Sequence, residues 1–124
     1  MKKLTNGTNQ MDETVLKPWG SYQNLIDEEY TKVKKIVVKP GEAPSYQYHF
    51  KRSEVWIIVK GEAEIKINDN VMRHHVGDVI KIPTEAAHQV TNVGDTELIF
   101  IEVQLGEYFG EDDIVRLEDK YGRI

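Results

Sequence analysis

Ser45–Gly61 reads SYQYHFKRSEVWIIVKG. Aromatic and β-branched residues dominate it, the composition of strands packed on a pleated surface, and a short polar turn, FKRS, separates two arms as in a hairpin. Three residues do not suit an apolar wall: Gln47, His49 and Glu54. Gln47 and His49 are two apart, so on a strand their side chains leave the same face, while Tyr46, Tyr48 and Phe50 take the other. The turn carries Glu54 back to the head of the next strand, where it can lie beside His49. The stretch therefore predicts a β-hairpin that gathers an amide, an imidazole and a carboxylate.

The surrounding sequence has the same texture. Between Ser21 and Gln104 run SYQNLI, KVKKIVV, EVWIIV, AEIKIN, DVIKIP, HQVTNV and TELIFIEVQ, each bounded by turn formers such as KPGEAP, KGE, NDN and VGD. Short strands at regular spacing, several alternating with period two, predict an all-β sandwich, barrel or jelly roll. No series of helices exists to support a βαβ fold. With 124 residues the expected organisation is a polar, disordered N-terminal tail over 1–14 and one domain over 15–124. GEDDIVRLEDKYGRI places acidic residues where a helix would begin and spaces Ile114 and Leu117 three apart, so a short C-terminal helix or turn is expected.

Composition narrows the function. Sixteen Lys and Arg against 21 Asp and Glu give a formal charge of −5, with no basic stripe of the kind that binds nucleic acid. No apolar run approaches the roughly 20 residues of a membrane helix, and no secretory signal opens the chain. A cytoplasmic protein without nucleic-acid or membrane partners is expected. There is no cysteine, so any metal must be held by nitrogen and oxygen.

A second segment, GDVIKIPTEAAHQVTN, brings a strand ending at Pro83, a loop, and His88 at the head of another strand. If the two segments converge, Gln47, His49, Glu54 and His88 would suit one first-row divalent ion, Zn, Mn, Fe, Ni or Co, with positions left for substrate or water. A bound cation would also offset the cost of a buried carboxylate. The same residues equally fit a hydrogen-bonded histidine and a solvated glutamate, and spacing does not separate the two readings.

The spacing Gly41, Gln47, His49, Glu54, Gly61 resembles the first cupin motif, with Gln in the first histidine position, and Gly77, Pro83, His88, Asn92 resembles the second. The glycine expected before the second-motif histidine is Glu85 here. More narrowly, KPWGSY, VKKIVVKPG, RSE-W, IEVQLGEYFGEDDIVRLED and YGR resemble the C-terminal cupin domain of type II phosphomannose isomerases, bifunctional enzymes that also carry mannose-1-phosphate guanylyltransferase activity. The resemblance implies a cupin jelly-roll barrel, the four-ligand metal site with Gln47 as a family trait, and interconversion of mannose 6-phosphate and fructose 6-phosphate. Phe50, Lys51 and Val55 stand where that family has histidines, and Ala87 where it has Arg.

Such an exchange requires a base and a group to hold enediolate charge. Lys51 and Glu85 are candidate bases near the expected rim. Arg52 and Arg116 are candidates for binding the phosphate, with pairing to loop carboxylates as the ordinary alternative. Trp19 and Trp56 are expected in the packing, and His74 and His75 are assigned no role. No Gly-rich nucleotide loop is present, so guanylyltransferase activity is not expected. The competing reading is a non-catalytic metal- or sugar-binding module that partners a separate sugar nucleotidyltransferase. A homodimer is expected to cover a sheet edge, with KPWGSYQNLI as the candidate segment.

Overall fold

Residues 13–119 are described by the structure, a computed structural model. The expected tail falls mostly on residues outside this range. Thr14, assigned to the tail, begins the first strand.

Two antiparallel sheets face each other. One has the order β1-β2-β3-β10-β5-β8, formed by Thr14–Lys17, Gly20–Asp27, Thr31–Val38, Leu98–Gly106, Arg52–Lys60 and Val79–Ile82. The other has the order β11-β4-β9-β6-β7, formed by Ile114–Glu118, Tyr46–His49, His88–Asn92, Ala63–Ile67 and Asn70–His74. The expected C-terminal helix or turn is a 3₁₀ turn, Glu111–Asp113, and a further strand, β11, follows it. Ile114 and Val115 are β-branched, and β11 finds a ladder partner in β4, which outweighs the spacing of Ile114 and Leu117.

Strand parity builds the interior in layers. In β5 the inward residues are Arg52, Glu54, Trp56 and Ile58, all buried, while the intervening positions are half-buried or exposed. In β10 the inward row is Leu98, Phe100, Glu102 and Gln104. The two strands are antiparallel, with Phe100 opposite Ile58, Glu102 opposite Trp56 and Gln104 opposite Glu54. On the other flank of β10, Leu98 meets Val38, Phe100 meets Ile36 and Glu102 meets Lys34. Apolar side chains therefore fill one end of the interior, where Ile65, Val90 and Leu98 are almost solvent-free, and polar side chains collect at the other.

The motif residues hold loops at both ends of the interior, Gly61 and Asn92 at the apolar end and Glu85 at the polar end. Gly61 has φ of 89°, and a Cβ there would lie 2.8 Å from the Glu97 carbonyl oxygen, so only glycine fits. Glu85, at the position where the motif has glycine, also has a positive φ, 69°. The motif glycine thus reflects a left-handed backbone that this chain keeps without one, at a cost of about 1–2 kcal/mol. The Glu85 amide donates to the His49 carbonyl at 2.7 Å, tying the loop before His88 to the strand that carries His49. Buried Asn92 donates through Nδ2 to the carbonyls of Val38 and Thr96, each at 2.8 Å, and accepts from the Gly94 amide at 2.9 Å. Its role is to close these loops.

Candidate metal centre

The polar end of the interior brings His49 from β4, Glu54 from β5 and His88 from β9 together, all three buried. Their candidate ligand atoms lie within 4.8 Å of one another. His49 Nε2 is 3.4 Å from Glu54 Oε2, and His88 Nε2 is 3.8 Å from Glu54 Oε1. Ligands at the usual 2.0–2.2 Å from a zinc-like ion stand about 3 to 3.5 Å apart, so small side-chain movements suffice to hold one. The far ring nitrogens are already engaged, as they are in metal sites. His88 Nδ1 lies 2.9 Å from the Ala86 carbonyl and His49 Nδ1 3.4 Å from that of Asp113, so donation there leaves each Nε2 lone pair facing the carboxylate. The donor set and its orientation therefore fit a divalent cation.

Gln47 sits opposite His88 in the β4–β9 ladder and lines the adjoining cavity, and its Oε1 accepts from Ser45 Oγ at 3.2 Å. Gln47 and His49 share a face of β4, as their spacing requires.

Glu54 is the electrostatic hub. Arg52 Nε donates to its Oε2 at 2.9 Å and Trp56 Nε1 to its Oε1 at 2.9 Å. Desolvation opposes its ionisation, but His88, Arg52 and His49, with the Trp56 indole, hold its carboxyl below the usual range. Burial pushes the His49 imidazole down to about 4, with Arg52 and His88 adding to the effect and Glu54 opposing it. At neutral pH His49 is thus uncharged. Its contact with Glu54 is not an ion pair, and its Nε2 accepts from Arg52 Nη2 at 3.1 Å.

Arg52 was a candidate for the phosphate, with pairing to a loop carboxylate as the alternative, and its Nη1 does lie 3.6 Å from Glu111 Oε2. The side chain is buried between Glu54 and His49. The period of β5 explains this, because Arg52 and Glu54 are two apart and leave the same face. Arg116, the other candidate, does line the cavity, and its Nε is buried without a hydrogen-bond partner. Lys51 and Glu85 are exposed and do not line it. Lys51 instead lies over the Tyr108 ring, 4.9 Å from its centroid. Of the three positions that lack family histidines, Phe50 and Lys51 are exposed and Val55 takes the outward parity of β5. None of the three lines the cavity.

Glu102 was missed from the sequence, as were Lys34 and Glu111, which line the same cavity. Glu102 lies in TELIFIEVQ, outside both motifs, yet it lines the cavity with Gln47, His88, Lys34 and Arg116. Burial, and then the Glu54 charge, push its carboxyl up to about 8, against the opposing effects of Lys34, Gln104 and Arg52. Its Oε2 lies 2.5 Å from the Gln104 side-chain amide. Gln104 Nε2 donates there, which by itself favours the ionised carboxylate, and burial outweighs it. The detectable signal was parity: a carboxylate on the inward row Leu98, Phe100, Glu102, Gln104.

The family described as Mannose-6-phosphate isomerase C-terminal matches residues 5–119. The chain belongs to that family. Mannose-1-phosphate guanylyltransferase ManC of Salmonella typhimurium is 43% identical over 116 residues, covering 94% of this chain and 24% of ManC. Xanthan biosynthesis protein XanB of Xanthomonas campestris is 45% identical over 109 residues, covering 88% of this chain and 23% of XanB. This member of the mannose-6-phosphate isomerase C-terminal family thus spans about a quarter of the length of the curated relatives it matches. Among solved structures, the capsular polysaccharide assembling protein CapF of Staphylococcus aureus aligns with a TM-score of 0.73 at 24% identity, covering 86% of this chain and 34% of CapF. Lactobacillus farciminis oxalate decarboxylase aligns with a TM-score of 0.74 at 23% identity, covering 85% of this chain and 33% of the other. These two likenesses establish the two-sheet cupin fold.

Proposed function

We propose that this chain is a metal-dependent sugar-phosphate isomerase of the mannose 6-phosphate type, exchanging aldose and ketose through an enediolate. The observation that carries the reading is the convergence, in a member of this family, of His49, Glu54 and His88, with His88 and Gln47 lining a cavity that also holds Glu102 and three cationic side chains, Lys17, Lys34 and Arg116. Gln47, His49, Glu54 and His88 would hold one divalent ion, Zn, Mn, Fe, Ni or Co. That ion supplies Lewis-acid stabilisation of the developing oxyanion.

Glu102 takes the acid–base role in this reading. A carboxyl that titrates at about 8 both holds and releases a proton near neutral pH, as abstraction and return of the proton alpha to the carbonyl require. Gln104 fixes the carboxyl in place, and the Trp56 and Phe100 rings pack beside it on the cavity wall. Lys34 and Arg116 supply positive charge for the phosphate. The cavity holds about 100 Å³, below the ~300 Å³ of the smaller ligand sites, so the phosphate end of a hexose must project past the mouth at Glu111.

A coupled assay with mannose 6-phosphate, with and without added Mn, Co or Zn, tests the proposal. Metal-dependent turnover that disappears in Glu102→Gln is the expected result. A second reading, a non-catalytic module serving a separate nucleotidyltransferase, is favoured by Phe50, Lys51 and Val55 at positions where the family resemblance implies histidines. Saturating metal binding with no turnover would select it. A second copy is the proposed partner in either reading, because the β1–β2 hairpin exposes Leu16 and Ile26 at a sheet edge. Light scattering reports the dimer.

A further inference from the structure

Arg52 makes contacts that a resident metal ion would also make. Its Nε is 2.9 Å from Glu54 Oε2 and its Nη2 is 3.1 Å from His49 Nε2. These are the two atoms whose 3.4 Å separation suits a shared cation. A guanidinium bridging them takes up the His49 Nε2 lone pair and one side of the Glu54 carboxylate, and a dication placed there would face the arginine at contact distance. The third guanidinium nitrogen indicates where the side chain can go. Nη1 has no hydrogen-bond partner, yet it lies 3.6 Å from Glu111 Oε2. That carboxylate is 58% exposed, belongs to the 3₁₀ turn, and lines the cavity with Lys34, whose Nζ is 3.8 Å from the same oxygen.

We propose that Arg52 is a displaceable internal cation: it holds His49 and Glu54 together until a divalent ion takes its place, and then transfers to Glu111 at the cavity mouth. In the metal-free state the arrangement keeps buried Glu54 paired, which a lone carboxylate in this position would require. Loading the ion converts Arg52 from a partner of Glu54 into a free cation at the mouth, where an anionic group of the substrate can compete with Glu111 for it. Metal and anion then favour each other's binding through one side chain.

The inference rests on the His49–Glu54–His88 site, and the experiment separates the two. Zinc, with cobalt(II) as its coloured counterpart, is titrated calorimetrically into chelator-stripped wild type, Arg52→Gln, Glu111→Gln and the double variant. Arg52→Gln should bind zinc at least about tenfold tighter than wild type, because no internal cation competes. Equal or weaker binding by folded Arg52→Gln overturns the inference while leaving the metal site intact. Glu111→Gln, at an exposed position, should bind zinc more weakly, and that loss should vanish in the Arg52→Gln background. A loss of equal size in both backgrounds shows Glu111 acting only as a remote charge and overturns the transfer. Should Arg52→Gln fail to fold, Arg52→Lys takes its place, since the shorter ammonium lacks the fork that bridges both atoms. If no variant binds zinc, the metal reading falls together with the inference.

Discussion

Replacing Glu102 with Gln should flatten the pH dependence of stability on the alkaline side. The folded-state carboxyl is raised from an ordinary 4.5 to about 8, so the native protein holds a proton that the unfolded chain gives up. The contribution is therefore fully present below pH 4.5 and is lost as pH rises towards and through 8. His49 works in the other direction. Its value is lowered from 6.5 to about 4, so its contribution is complete above pH 6.5 and fades as pH falls. Glu54, also lowered, likewise acts on the acid side. The interval from pH 6.5 to 9 thus isolates Glu102, and at about 1.4 kcal/mol per pH step until it ionises, the wild type should lose about 2 kcal/mol across it. Urea denaturation at stepped pH, with a chelator present, measures this directly. Glu102→Gln should show no comparable slope, because the amide does not titrate. The same slope in both proteins would refute the placement of a protonated carboxyl in the cavity.

Glu54→Gln should abolish high-affinity zinc binding, read by calorimetry, and lower unfolding free energy by about 3–5 kcal/mol, because it leaves Arg52 buried beside an uncharged partner. Asn92→Ala should cost about 2 kcal/mol in chemical denaturation, since it orphans the buried Val38 carbonyl and the partly buried Thr96 carbonyl and Gly94 amide contacts, while leaving zinc affinity within about twofold. Glu85→Gly should raise stability by about 1 kcal/mol, since relief of the left-handed backbone exceeds the added chain entropy of glycine. A lower melting temperature in that variant would contradict the strain argument.

The barrel and its polar end were legible because both rest on local rules. Period-two alternation identifies the strands; the expected hairpin does not form, because β4 and β5 lie in opposite sheets, but the short link at Phe50 and Lys51 still brings Glu54 to face His49. What escaped the sequence depends on contacts between distant strands. Arg52 was read from its charge as a phosphate candidate, although the parity that pairs it with Glu54 was available. Glu102 has no motif around it, and its importance arises from facing Trp56 on one side and Lys34 on the other, a register that only the assembled sheet defines. The terminal acidic segment carried a helical spacing over two residues only, too little to compete with an open strand edge on β4.

The layering of β5 divides one strand between two independent selective regimes. Its even-numbered residues answer to the chemistry inside, while Val55, Ile57 and Val59 answer only to whatever lies outside. Val55, a former histidine position by family pattern, could therefore drift without disturbing the chamber. A protein engineer could rewrite that exterior row for solubility or a new partner and leave the buried chamber untouched.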